Sequence, residues 1–392
     1  MVREWFEGWP NLREKRDARG SQIRWVMPAE HRWGVPVLDV RPVTLTTMSS
    51  SSDPCCAANA LSFGSDDGTG FIGRPPIVDR AVEADLHFSI ERILVDGVLF
   101  APRRMEEKWA LFYHRQRIIC VRSWTRQVWA IAAVEPHDGY VRIGSIRGVL
   151  TGPDEEPEMT ARVLEYLLIS HALETVFPAP LPRGGGARSA ASRIDGSVCQ
   201  TAELGAMAAM CMSAYGRRAH FATAEGVERP SLDRPLRTDS LLHIAAARGD
   251  IAAVDSLLSS GLPVDLRSRS GTAPLHWAAA AGTREVIDHL LAQAASVDVL
   301  SEAGSTPMMT AVQAGDAVSA CLLLDRGADI DACDRRGYTA LHRAAERGQL
   351  ATARLLLERG ADPNVRAEGR TALGVAEACG AADVAALLRR NS

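Results

Sequence analysis

The sequence predicts a two-part chain: an α+β N-terminal module, then an all-α solenoid of stacked repeats. Two observations predict this. From Thr238 to Arg390 one phrase recurs five times; Leu242, Leu275, Met308 and Leu341 stand 33 residues apart, and Leu373 follows after 32. The series Gly249, Gly282, Gly315, Gly348 and the series Asp265, Asp298, Asp331, Asn364 keep the same step of 33. Three coincident registers signal repeats, each a unit that buries its apolar face only against its neighbours. Upstream, residues 76–180 carry short segments rich in Trp, Phe, Ile and Val, broken by turn signals, which is the pattern of paired strands.

Taken in order, residues 1–75 read as a disordered or misannotated extension. Trp5, Trp9, Trp25 and Trp33 lie among Arg, Glu and Pro without periodicity, and residues 49–54 and 64–70 are loop chemistry. Either a tryptophan-rich arm folds on a partner, or translation starts at Met48. In the small α+β domain at 76–180, Val82, Leu86, Ile90, Ile93 and Leu94 share one helical face and predict a helix over 79–94. Segments 108–113, 117–122, 127–134 and 140–149 predict a four-stranded antiparallel meander, with Asp138 and Gly139 in a primed hairpin turn. Acidic residues at 154–158 suit the N-terminus of a helix over 155–176, with Val163, Leu164, Leu167 and Leu168 as its buried stripe. Residues 181–197, rich in Gly, Pro and Ser, read as a linker. Leu204, Met207, Met210, Cys211 and Ala214 then mark a helix. Solenoid ends need covering, so 198–235 is expected to be a capping helix or degenerate repeat; membership of the preceding domain is the alternative. Five repeats fill 236–392.

The phrase Thr339 to His342, repeated with variations at a period of 33, resembles the ankyrin repeat over about two fifths of the chain. Thr339 is placed to cap a first helix. The resemblance implies that His342, like His243 and His276, bonds within its phrase and reaches the neighbouring unit. It makes these histidines structural rather than metal-binding or catalytic. Gly249, Gly282, Gly315 and Gly348 are expected to end the first helices in the left-handed conformation. The phrase decays in three places: Ala273 replaces threonine in repeat two, Met309 replaces histidine in repeat three, and Gly374 does so in repeat five. The residue missing between Asn364 and Thr371 is expected at the repeat's finger tip.

The resemblance also implies a concave binding face made of finger tips and exposed first-helix positions. The residues carried onto it are Trp277, Arg335, Arg336, Tyr338, Arg343, Arg366 and Arg370, and aromatics and arginines are the side chains that dominate interface energetics. The arginines among them predict a positive stripe for an acidic or phosphorylated protein segment, with Trp277 as its anchor.

Composition narrows the rest. The net charge of −4 lies wholly in the array, which carries 15 Arg against 19 Asp and Glu from Thr238 onward, so no bulk positive charge points to nucleic acid. No apolar run is long enough to span a membrane, and the charged first twenty residues do not read as a secretion signal. The 8 cysteines show neither C-x-x-C pairs nor metal-like spacing, which predicts no metal and a reducing cytoplasm. Two lysines against 42 arginines suggest a GC-rich bacterial genome. No phosphate loop, G-x-S-x-G or H-E-x-x-H occurs. Cys120 and His114 offer either a Cys–His pair or a core cysteine. A cofactor-free, non-enzymatic protein-binding role is therefore expected. The alternative is that the N-terminal module is an enzyme or effector, with the array as its targeting or inhibitory part.

Overall fold

The computed structural model describes residues 24–26, 37–44, 54–91, 93–104, 107–175, 177–181 and 234–391, with further positions between 29 and 35 and between 207 and 223. It divides into one unit ending at Thr238 and a second beginning at Asp239. The possible start at Met48 and the linker beyond Leu181 lie outside the described residues.

In the first unit the elements run β1 (Arg24–Val26), β2 (Val37–Asp39), α1 (Arg41–Thr44), α2 (Pro54–Leu61), β3 (Ala81–Ser89), β4 (Gly97–Phe100), β5 (Trp109–His114) and β6 (Arg117–Arg122). They continue with β7 (Gln127–His137), β8 (Tyr140–Gly148), α3 (Pro157–Leu167), β9 (Ala179–Pro180) and β10 (Phe221–Thr223). The expected meander is β5 to β8, flanked by two further antiparallel strands in the order β4-β5-β6-β7-β8-β3. A small second sheet runs β1-β2-β10-β9.

Strand alternation gives the main sheet two different faces. Leu111, Tyr113, Ile118, Cys120, Ala132 and Ile146 point into the main core with Val163, Leu164 and Leu167 of α3. Each such large aliphatic side chain contributes about 1.5–3 kcal/mol relative to exposure. On the other face Phe112 pairs with Ile119, and Ile119 with Ile131. There Phe63 and Phe71 stack on Phe112 with ring centroids 6.2 and 5.5 Å away. Helix α3 starts with Pro157 at its first turn, and the following turn, Leu168–Ala172, widens into a π-helix.

Three expectations change. Residues 81–89 are strand β3, not part of a helix, and Val82, Leu86, Phe88 and Ile90 are buried while Glu83, Asp85, His87 and Ser89 are exposed. A spacing of four satisfies both the strand period of 2 and, nearly, the helical period of 3.6; the polar residues at 83, 85, 87 and 89 are what distinguish them. The 198–235 segment does not cap the array where it is described: Met207, Ala208, Cys211, Met212 and Tyr215 are buried in the first unit's core. There the Trp109 indole N–H and the Arg122 guanidinium both donate to the Ala214 carbonyl, at 2.9 and 2.7 Å, and the Tyr215 hydroxyl donates to the Pro180 carbonyl at 2.8 Å. The described parts of 1–75 are also built into this unit: Val37, Leu38 and Val40 are fully buried, and Phe63 and Phe71 cover the second sheet face.

The second unit is five helix pairs: α4 (Leu241–Arg248) and α5 (Ile251–Ser259), α6 (Pro274–Ala281) and α7 (Arg284–Ala292), α8 (Pro307–Ala314) and α9 (Ala317–Asp325), α10 (Ala340–Glu346) and α11 (Leu350–Glu358), α12 (Ala372–Ala378) and α13 (Ala382–Asn391). Each sequence register has a physical job. Leu242, Leu275, Met308 and Leu341 are buried in one continuous core, beside small residues such as Ala278, Ala279, Ala344 and Ala345 that let neighbouring helices approach. Gly249, Gly282, Gly315 and Gly348 all adopt positive φ, +77°, +72°, +85° and +65°, where helices turn off. The aspartates lace one repeat to the next. The carboxylates of Asp265, Asp298 and Asp331 accept the backbone N–H of Ser296, Asp329 and Asp362, at 3.2, 3.0 and 3.0 Å. The deletion in repeat five sits at the tip. Ser268, Ser301 and Asp334 donate to carbonyls four residues on, whereas Ala367 donates to Arg370, three residues on. Among the described residues no helix is long and apolar enough to cross a membrane.

Candidate protein-binding face

The histidine phrase builds the array's interior first. The Nε2 atoms of His243, His276 and His342 face the carbonyl oxygens of Thr272, Ser305 and Arg370 in the next repeat, at 3.0, 2.9 and 3.3 Å. A carbonyl only accepts, so Nε2 carries the proton. Nδ1 is then an acceptor, and it meets the Ser240 hydroxyl at 2.8 Å, the Ala273 N–H at 3.2 Å and the Thr339 hydroxyl at 2.9 Å. Burial pushes the His243 and His276 imidazoles down to about 4 and lowers His342 as well. These are neutral staples between repeats. Met309 interrupts the column: Thr306 still caps its helix, accepting the Met309 N–H at 3.3 Å, but the thioether has no proton for repeat four.

The candidate face follows from where this interior leaves side chains outside. Trp277 is half-buried on α6; its indole N–H donates to the Thr272 hydroxyl at 2.9 Å, and its ring meets the His243 ring at 5.5 Å between centroids. Thr272 is therefore occupied by the tryptophan and does not cap the helix in place of Ala273.

At the tips of repeats four and five the arginine stripe is a mixed network. Arg343 is only 14% exposed and is held by Asp334 and by Glu346, the latter at 2.9 Å. Arg336 makes a two-pronged contact with Glu368, at 2.7 and 2.9 Å. That bond raises the Arg336 guanidinium further above its ordinary range and holds the Glu368 carboxyl below its own. Tyr338 lies between the two guanidinium groups, at 4.9 Å from Arg336 and 4.6 Å from Arg343, in the range for cation–π attraction. Arg335, Arg366 and Arg370 are exposed and have no carboxylate at ion-pair distance among the described residues. The sequence did not show that Asp334, Glu346 and Glu368 hold these arginines. The signal was an acid within a few residues of each arginine, or one repeat away.

In the first unit, the strand register puts His114 opposite Arg117 and Cys120 opposite Leu111, on different faces of the sheet. Burial pushes the Cys120 thiol up to about 12, as an inert core cysteine. The Cys–His pair does not form. Among the described residues no cluster of His, Cys, Asp and Glu suits a metal ion.

Residues 242–334 and 319–392 match the family model of ankyrin repeats (3 copies). The match covers the second unit and leaves the first outside it. No curated protein matches the chain.

Proposed function

Because its second unit is an ankyrin-repeat array, we propose that this chain is a protein-binding protein whose array grips an acidic protein segment. The face is the one built from the finger tips and first helices, with Trp277 as an apolar contact. The observation that carries the reading is the arrangement at repeats four and five. There Arg335, Arg366 and Arg370 are exposed with no carboxylate at ion-pair distance among the described residues, Arg366 donating only to the Gly369 carbonyl at 3.1 Å, and the same tips hold a tyrosine fixed by Arg336 and Arg343. A preorganised aromatic loses little side-chain entropy on binding. In this reading Arg343 and Arg336 position Tyr338, while the other three arginines meet the partner's carboxylates or phosphates.

The first unit enters as a second binding module rather than an enzyme. Supporting this is the placement of Cys120 in the core, away from His114. The unbridged thiols of Cys120, Cys211, Cys321, Cys333 and Cys379 among the described residues support a reducing cytoplasm as its compartment.

The test is affinity capture from the source cells, comparing the full chain with an Arg335→Glu/Arg366→Glu/Arg370→Glu variant. All three side chains are exposed, so the fold should be kept. The expected result is a partner recovered by the wild type and lost by the variant. Recovery of the same partners in equal amounts would overturn the proposal.

A further inference from the structure

Among the described residues the second face of the main sheet is incompletely covered. Beside the Phe63, Phe71 and Phe112 stack lies a cleft of about 350 Å³, within the range of small-molecule sites. Its floor is apolar: Ile119 and Ile131, paired across β6 and β7, with Phe71 beside them. Arg74, Arg115 and Arg117 also line it.

The charge around the cleft is unbalanced for a local reason. Asp79 is taken by Arg147, also in the wall, through bonds of 3.1 and 2.6 Å, and Asp66 is taken by Arg126. Asp96 accepts the Arg115 backbone N–H at 3.0 Å and faces His114 Nδ1 at 3.7 Å; it meets the Arg115 guanidinium only as a charge beyond ion-pair distance. Arg74 only lies over the Phe71 ring, at 5.1 Å. Arg74, Arg115 and Arg117 thus have no carboxylate at ion-pair distance among the described residues. Three arginines beside an apolar floor repel one another unless an anion joins them.

The hairpin that presents two of these arginines supports a site. Its central residues, Arg115 and Gln116, sit at φ +49° and +57°, the conformation for which Asn-Gly is the favoured pair. The left-handed geometry is strained for long side chains, and such strain gathers at ligand sites.

We infer that this cleft binds a small organic anion, a carboxylate or phosphate carried on an apolar body. The arginines receive the head group, and Phe71, Ile119 and Ile131 receive the body. This site belongs to the first unit and stands independently of what the array binds.

The experiment is isothermal titration calorimetry on the full chain with 2-naphthoate and with 2-naphthyl phosphate. Inorganic phosphate and 2-naphthalenemethanol serve as head-only and body-only probes. Saturable binding of either acid is expected, and the tighter one identifies the head group. An Arg115→Gln/Arg117→Gln variant should raise its Kd roughly tenfold or more, the loss expected for charge-assisted hydrogen bonds. Arg390→Gln should leave it unchanged. The inference is overturned if neither acid binds saturably or if the double variant binds as well as wild type. It is equally overturned if inorganic phosphate matches the naphthyl ester.

Discussion

Mild acid should loosen the array, and the staple histidines determine by how much. His243 and His276 are neutral when folded, with burial holding them at about 4, against a value of about 6.5 in an unfolded chain. Their folded values are depressed, so below pH 6.5 the unfolded chain takes up protons that the folded one refuses. Stability is therefore fully present above the unfolded value, falls as pH drops from about 6.5 to about 4, and changes no further below that. Between pH 7 and pH 5 the two-state linkage relation gives about 2 kcal/mol for each of these histidines, or roughly 4 kcal/mol for the pair. His342 shifts in the same direction and adds to the loss. The assay is urea unfolding of the full chain at both pH values, followed by pulsed hydrogen exchange at one common labelling pH. Peptides across 241–358 report on the array alone. His276→Gln removes one titrating ring and should reduce the pH effect by about 2 kcal/mol, whatever it does to stability at pH 7. If wild type and variant lost the same stability between pH 7 and pH 5, the staple would not be the cause. If the wild type lost none, the burial argument itself would fail.

Two further outcomes follow from single sites. Met309→His should restore the missing staple, since the Tyr338 carbonyl, 29 residues on, matches the Thr272 and Ser305 carbonyls and accepts only the Asp334 N–H among backbone donors. A gain of about 1 kcal/mol is expected at pH 7 in the same exchange-detected urea titration; a loss would mean that the thioether packs better than the imidazole bonds. In the first unit, the buried Glu155 carboxylate accepts from the Leu150 N–H at 3.1 Å, from the Thr151 N–H and hydroxyl, and from the Thr160 hydroxyl. Glu155→Ala strands these donors and should cost about 3 kcal/mol, read as a lower urea midpoint for peptides from 109–167.

The sequence by itself determined the array, because every register in it is satisfied within one repeat or by the next. Leu341 packs on adjacent helices, Gly348 turns its own helix off, and His342 reaches a carbonyl 28 residues away. A contact with a fixed short separation leaves a period, and a period can be read without coordinates. The meander was legible for the same reason, since its hairpins join neighbours in the chain. Arg335, Arg366 and Arg370 at the tips could be placed by register too, but not told apart from Arg336 and Arg343, whose pairing with carboxylates depends on the tip's folded geometry.

Only the tertiary structure decided what depends on distant partners. Residues 81–89 became a strand because β8 offers an edge to pair with, which their own spacing did not reveal. The described residues from Met207 to Tyr215 joined the first unit, where the Ala214 carbonyl receives Trp109 and Arg122, 105 and 92 residues earlier. The arginine-walled cleft arises in the same way: Arg74, Arg117 and Arg147 meet because a covering segment and two strands converge on one sheet face. Such meetings are set by the packing of the whole unit and leave no period in the sequence.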